Sequence, residues 1–375
     1  MPGREMTAAI AALALAGAAQ AQPTERFVLS GSSILAADGS IQQGRALLIG
    51  SDGRIRRVAE QSELDSLRIE RVEFEGAVIT PGLFDLASFA GLEGDNAEVA
   101  YASDLEARAI DGLDPTSASL TDLLEGGVTG AMIIPAPVNP ISGLSATINT
   151  STGNAWVDQG AVIFSVAPIA LDTLFGPTSR TGALELIRRS LGEAEDGMLA
   201  EVARGDRPAV IYAESSDGAL AGYSALLTYG AEPVIALSNA SIDVALELEE
   251  ELDEVRFIAG PFAPNAAPES LAGPGLMARG GAEVAFRGGS AEGLRLSAAM
   301  AVQYGMNPQA ARRGITSVAA GIAGVGDVTG SIEPGMRADL VVWSGDPLAM
   351  SSQVLAVYVG GQLVYAAPNS TESME

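Results

Sequence analysis

The sequence of 375 residues contains no histidine, no cysteine and no lysine, so its 21 basic residues are all arginine. Without histidine there is no imidazole general base, and without histidine and cysteine the usual donors of a zinc site are missing. Without lysine the chain cannot form a Schiff base or present a lysine nucleophile. Serine–histidine–aspartate and cysteine–histidine catalytic arrangements are excluded as well. The groups left for any catalysis are carboxylates, tyrosine, hydroxyl groups, arginine and backbone dipoles.

Aromatic residues are also scarce, at 5%, although hydrophobic residues make up 47% of the chain. The core must therefore consist mainly of alanine, valine, leucine and isoleucine, and the composition is not that of a disordered chain. The formal net charge of -26 repels nucleic acid and anionic lipid surfaces. We therefore expect an acidic folded protein that does not bind nucleic acid.

Residues 1–21 have the pattern of a secretory signal peptide. Arg4 precedes a short apolar run over residues 7–19, and Ala19-Gln20-Ala21 fits a small-x-small cleavage site. The run is too short to cross a bilayer, and no later stretch is long and apolar enough to do so. We predict a periplasmic or secreted protein that begins at Gln22, has no membrane span and, lacking cysteine, forms no disulfide.

Residue patterns divide the remaining chain into β-rich ends and an α/β centre. Residues 24–80 carry short apolar segments separated by Asp-Gly turn signals, and residues 329–368 return to this pattern. Neither end has enough strands for a stable sheet, so we predict that both pair into one composite β-domain. Residues 369–375 are predicted to be a disordered tail.

The central residues 81–328 alternate short apolar strands with helical stretches, which indicates a parallel sheet covered by helices. Their number and length favour an α/β fold of the (β/α)8 TIM-barrel type, with an open doubly wound sheet as the alternative. An eighth strand is expected between Val166 and Ala209. The seven strands read from the sequence are 83–86, 128–134, 161–166, 209–213, 234–237, 256–259 and 283–286.

Three stretches, residues 77–94, 123–143 and 326–365, carry the most specific motifs. In the third, Gly-Ser-Ile-Glu-Pro-Gly at 330–335 is followed by Ala-Asp-Leu-Val-Val at 338–342 and a glycine-containing hairpin. Together the stretches resemble the amidohydrolase superfamily, in the branch with imidazolonepropionase-like and dihydroorotase-like members. The resemblance implies a metal-dependent hydrolase barrel that cleaves non-peptide C–N bonds.

The same resemblance implies metal ligands that this chain does not have. The family pattern is Pro-Gly, two apolar residues and Asp-x-His-x-His, and residues 81–85 match only its first part. Another family ligand follows the fifth strand, a histidine follows the sixth strand, a catalytic aspartate follows the eighth, and some members carry a carbamylated lysine. The residues at the degenerate positions are Ala87, Phe89, Tyr212, Ser238 and Gly289. We predict a metal-free, catalytically degenerate protein that needs no cofactor.

Polar residues at predicted strand and helix ends remain as candidates for a site. Asp85, Tyr212 and Glu214 are catalytic candidates, because two carboxylates with separated pKa values can do acid–base work and can also hold Mg²⁺ or Ca²⁺. Arg180 is a candidate for binding an anionic group. A structural hydrogen bond for Asp85 and helix-start packing for Arg180 are the competing interpretations.

The favoured function is a scaffold or non-catalytic partner of an active amidohydrolase homologue. The expected partner is that homologue or, in a homo-oligomer, a second copy of this chain. One alternative is an active hydrolase that uses carboxylates or an oxygen-only metal site. The other is a periplasmic protein that binds a small molecule.

Overall fold

The computed structural model describes residues 27–368 except 93, 95, 104, 172–175, 238–241 and 264. The predicted signal peptide and the predicted tail at 369–375 lie outside these residues. Within them, no helix combines the length and apolar character needed to cross a membrane.

The N-terminal part is β-structure that begins at Phe27. Its strand β1 (Phe27–Leu35) pairs antiparallel with β2 (Ile41–Gln43) and β3 (Arg45–Ile49) and parallel with β5 (Glu70–Pro81). Strand β3 pairs antiparallel with β4 (Ile55–Glu60). The β3–β4 turn contains Gly53 at φ 72°, and a Cβ atom there would lie 2.1 Å from the carbonyl oxygen of Gly360. Only glycine therefore allows this turn to approach the C-terminal hairpin. The short helix α1 (Gln61–Leu64) lies between β4 and β5 in the chain.

The centre alternates strands and helices, as the sequence pattern predicts. Serine residues precede several helices and accept a backbone N–H of the first turn, which fixes where each helix begins. The elements of residues 83–157 are β6 (Leu83–Ser88), α2 (Ala118–Glu125), β7 (Val128–Ile133), β8 (Ile141–Leu144), β9 (Ala146–Asn149) and β10 (Ala155–Val157). Those that follow are β11 (Val162–Ser165), α3 (Arg180–Gly192), α4 (Gly197–Ala203), β12 (Ala209–Ala213), α5 (Ser216–Leu227), β13 (Pro233–Leu237), α6 (Ile242–Glu247), β14 (Arg256–Ala259), α7 (Pro268–Arg279), β15 (Glu283–Phe286), α8 (Ala291–Gln303), α9 (Pro308–Gly314) and α10 (Ser317–Ile322).

The central strands form two sheets. Strands β11 to β15 are parallel neighbours in chain order, and β6 is parallel to β7. Between these groups lie β8, antiparallel to β11, and β9, antiparallel to β7. The strands described here therefore do not make the closed, hydrogen-bonded barrel that the sequence predicts, although the α/β organisation is confirmed.

The eighth strand expected between Val166 and Ala209 is not found in the described part of that segment, which forms α3 and α4. The two central sheets contain instead the strands β8 and β9, which come earlier in the chain. Strand β8 is antiparallel to β11, and β9 is antiparallel to β7. Their pairing depends on partners distant in sequence, so local patterning does not reveal it.

The two central sheets nevertheless share one buried cluster. Alternate side chains of a strand point to opposite faces, and one face of β6, β7 and β11 to β15 contributes to this cluster together with α10. The opposite faces pack on the helices. Interior members from five successive strands are Ile163, Val210, Val234, Ile258 and Ala285.

The C-terminal strands β16 (Leu340–Trp343), β17 (Val354–Val359) and β18 (Gln362–Ala366) complete the N-terminal sheet. Strand β16 pairs antiparallel with β5, which gives the order β18-β17-β16-β5-β1-β3-β4 with β2 on β1. The buried Trp343 indole N–H donates to the Thr80 hydroxyl at 2.9 Å, across this junction between the two chain ends.

Candidate functional site

A buried arginine lies where the last central strand ends. The backbone N–H of Arg287 donates to the carbonyl of Ala259, which extends the β14–β15 ladder by one residue and fixes the direction of the side chain. Its relative exposure is 7%. Arg287 lies close to the ends of β12 and β6, because its side chain contacts Tyr212 and the next residue, Gly288, donates to Asp85. Arg287 is not among the candidates predicted from the sequence; its signal is a charged residue directly after the buried strand residues 284–286.

Two aromatic rings contact the Arg287 guanidinium. Its Nη1 donates to the hydroxyl oxygen of Tyr212 at 3.2 Å, and its carbon lies 5.4 Å from the centre of the Tyr212 ring. The same carbon lies 5.9 Å from the centre of the Phe89 ring. Both distances are within the range of cation–π attraction. We call Arg287, Tyr212 and Phe89 the arginine site.

Asp85 lies beside this site and is fully buried in β6. Its Oδ1 accepts the backbone N–H of Gly288 at 2.8 Å, so the carboxylate links β6 to the loop that follows β15. Its Oδ2 is buried and has no hydrogen-bond partner among the described residues. Burial raises the pKa of Asp85, and the Gly288 N–H and the Arg287 charge offset only part of this rise.

The positions at which the family resemblance implies metal ligands make other contacts in this structure. Ala87 lies within a bulge in the β6–β7 pairing, has φ 49°, and packs its methyl group into the buried cluster shared by the central sheets. Phe89 and Tyr212 contact Arg287. Gly289 has φ 67° in the loop after β15, and Ser238 lies outside the described residues.

These residues do not fit a transition-metal ion. A methyl group and a phenyl ring offer no lone pair, the Tyr212 oxygen is engaged by a guanidinium, and a fixed positive charge lies between the rings. In the part of the chain that the structure describes, no group of three or more acidic side chains could hold a metal ion. The chemistry of the site is that of a buried cation rather than of a metal centre.

The other two candidates predicted from the sequence, Glu214 and Arg180, make no described hydrogen bond or ion pair with Asp85. Glu214 is exposed, just beyond β12. Arg180 begins α3, and its Nη2 donates to the hydroxyl of Ser215 at 3.3 Å, which ties the start of α3 to the cap of α5. Within the described residues, no hydrogen bond or ion pair joins either side chain to Asp85 or Arg287.

Comparison with known proteins supports the resemblance found in the sequence. Residues 304–365 match the model of the amidohydrolase family. A stretch of 79 residues is 33% identical to the amidohydrolase tasK of Hapsidospora irregularis, which covers 21% of this chain and 8% of that protein. This chain thus spans only a small part of the curated relative that it matches.

Solved amidohydrolase structures match over nearly the whole chain. An amidohydrolase from Thermotoga maritima has a TM-score of 0.79 at 24% identity and covers 91% of this chain and 100% of its own. An ochratoxinase from A. niger has a TM-score of 0.58 at 17% identity, covering 92% of this chain and 96% of its own. A putative prolidase from Bifidobacterium longum has a TM-score of 0.58 at 16% identity, covering 93% and 97%. The chain therefore has the fold of the amidohydrolase structures, and its residues 304–365 match the amidohydrolase family model.

Proposed function

We propose that this chain is a periplasmic or secreted member of the amidohydrolase superfamily that does not carry out metal-dependent hydrolysis. It acts as a scaffold or non-catalytic partner of an active relative. The observation that carries this proposal is the burial of the Arg287 guanidinium between Tyr212 and Phe89, two of the positions at which the family resemblance implies metal ligands.

The electrostatics of the arginine site oppose a metal ion. Two like unit charges 4 Å apart repel by about 4 kcal/mol at an effective dielectric constant of 20, and a divalent ion doubles this value. A metal centre offsets such repulsion with anionic ligands, whereas Asp85, whose pKa is raised, is the only buried carboxylate beside Arg287 among the described residues. The sequence also leaves open a metal site built from oxygen ligands alone, which needs a second carboxylate beside Asp85. Glu214 does not supply it, because this residue is exposed and makes no described contact with Asp85.

Metal analysis tests the proposal directly. The mature chain is purified without chelator and its Zn, Fe, Mn, Mg and Ca contents are measured before and after incubation with each ion. Hydrolysis of N-acyl amino acids and cyclic amides is assayed in parallel, with a histidine-containing amidohydrolase as positive control. We expect substoichiometric metal and no turnover. Stoichiometric metal together with turnover that Asp85→Asn abolishes would overturn the proposal.

The partner role and the location have separate tests. Native size-exclusion chromatography and pull-down from the source extract are expected to show a homo-oligomer or an associated amidohydrolase that keeps its histidines. A chain that is monomeric and without a partner under native conditions contradicts the partner role. N-terminal sequencing of the exported protein is expected to begin at Gln22.

A further inference from the structure

We infer that the arginine site binds the carboxylate of a small organic acid whose apolar or aromatic body packs on Phe89. This inference goes beyond the proposed function, because it assigns a ligand class to a site that a purely structural scaffold would not need.

The first support is the incomplete pairing of the Arg287 guanidinium. Its hydrogen bond with the described residues is the one from Nη1 to Tyr212, and its Nε is buried without a partner. No carboxylate of the described residues forms an ion pair with it. Buried cations in proteins are normally paired and hydrogen-bonded, since removing a charge from water is unfavourable. A bound anion would supply the missing acceptor.

The second support is the chemistry of the donors. A guanidinium presents its N–H groups in a planar fork that matches the two oxygens of a carboxylate. Tyr212 engages Nη1 and holds the group in place, which leaves donors on Nε and Nη2 for the ligand. Because Nε is buried, a ligand reaches this edge only when a surrounding side chain moves.

The third support is the exposure of Phe89. Its ring is 38% exposed even though it lies over the guanidinium, so it offers an apolar surface next to the anion-binding donors. A ligand body that packs on this ring removes apolar area from water and adds aromatic contact. Acetate alone would use the charge and leave the ring uncovered.

The charge of the whole chain limits the size of the anion. With a formal net charge of -26, the long-range field repels polyanions far more than a single carboxylate. A monocarboxylate is therefore favoured over a nucleotide or a polyphosphate.

Calorimetric titration of the mature chain with phenylacetate tests the inference, with phenylacetamide as the uncharged control of the same shape. We expect saturable one-to-one binding of phenylacetate and at least about tenfold weaker binding of the amide. No binding of phenylacetate to folded protein, or equal binding of the amide, overturns the inference without requiring any variant to fold.

Matched variants then locate the site. Arg287→Gln is expected to weaken phenylacetate binding about tenfold or more, whereas Arg180→Gln, which makes the same change in net charge, leaves it unchanged. Equal losses in both variants, or a loss only in Arg180→Gln, overturn the assignment. Circular dichroism and thermal unfolding check that each variant is folded.

Substitution of Phe89 tests the apolar part of the ligand class. Phe89→Ala is expected to lower the ratio of phenylacetate to acetate affinity about fivefold, because the stacking surface is lost while the guanidinium remains. An unchanged ratio shows that the ring takes no part. Metal content is measured in the same preparations, so failure of this inference is distinguishable from failure of the proposed function.

Discussion

The Nη1 atom of Arg287 lies 3.2 Å from the hydroxyl oxygen of Tyr212, and the two residues end strands that are not neighbours in the sheet. Strands β13 and β14 lie between them. The bond therefore joins the carboxyl ends of two strands that are not neighbours, and it holds a buried positive charge beside residues 212 and 89, where the family resemblance implies metal ligands.

Removal of the Tyr212 hydroxyl tests the strength of this bond. Tyr212→Phe keeps the ring but deprives the guanidinium of its acceptor, so the free energy of unfolding is expected to fall by about 1–2 kcal/mol. Urea unfolding measures the change. Tyr304→Phe, at a side chain that is 40% exposed, is the control and is expected to change stability by less than about 0.5 kcal/mol. Equal effects of the two substitutions would contradict the role of the bond.

The carboxyl group of Asp85 makes stability depend on pH in an unusual direction. Because burial raises its pKa in the folded chain, the unfolded chain releases this proton at a lower pH than the folded chain does. The native protein is therefore expected to lose stability relative to Asp85→Asn as pH rises above about 4. Asparagine keeps an oxygen that can accept the Gly288 N–H. Urea unfolding of both proteins from pH 3 to 7 checks this, and a difference that does not vary with pH refutes it.

Asp346 is expected to show the opposite pH dependence. Burial acts to raise its pKa, but hydrogen bonds from Arg312, at 3.2 Å from Nε and 2.5 Å from Nη2, outweigh this effect and the pKa is lowered. Its stabilisation is therefore present above about pH 4 and lost as pH falls through the folded pKa. We expect Asp346→Asn to cost about 1–2 kcal/mol at pH 7 and much less at pH 3. An equal cost at both pH values in urea unfolding would be evidence against this ion pair.

Arg295 joins the central part to the C-terminal segment. Its guanidinium donates to the carbonyls of Pro347, Ala349 and Ser352 at 2.8–2.9 Å and lies 4.7 Å from the centre of the Trp343 ring. Arg295→Met leaves these carbonyls unsatisfied and is expected to lower the free energy of unfolding by roughly 3 kcal/mol or more.

The control for this substitution is Arg279→Met, because Arg279 makes a single described hydrogen bond, to the carbonyl of Gly305 at an exposed position. We expect a change below about 1 kcal/mol. Unfolding in guanidinium chloride measures the stability of both variants. If both have the same midpoint concentration, the three carbonyl contacts do not hold the C-terminal segment in place.

Local patterns predict the strands well where apolar runs lie between clear turn signals. The predicted strand at residues 209–213 and the structural strand β12 coincide, and the predicted strand at 256–259 coincides with β14. The antiparallel strands β8 and β9 could not be predicted in the same way. Each has only four residues, and each pairs with a strand that is not its neighbour in sequence: β8 with β11 in the six-stranded sheet and β9 with β7 in the four-stranded sheet.

The sequence by itself determines which chemistry is unavailable. A chain without histidine, cysteine or lysine cannot use an imidazole, a thiolate or an amine, whatever its fold. Only the tertiary structure decides what stands in their place. Arg287 and Tyr212 are 75 residues apart, and their contact arises because parallel strands end at one edge of the fold, a relation that no local pattern encodes.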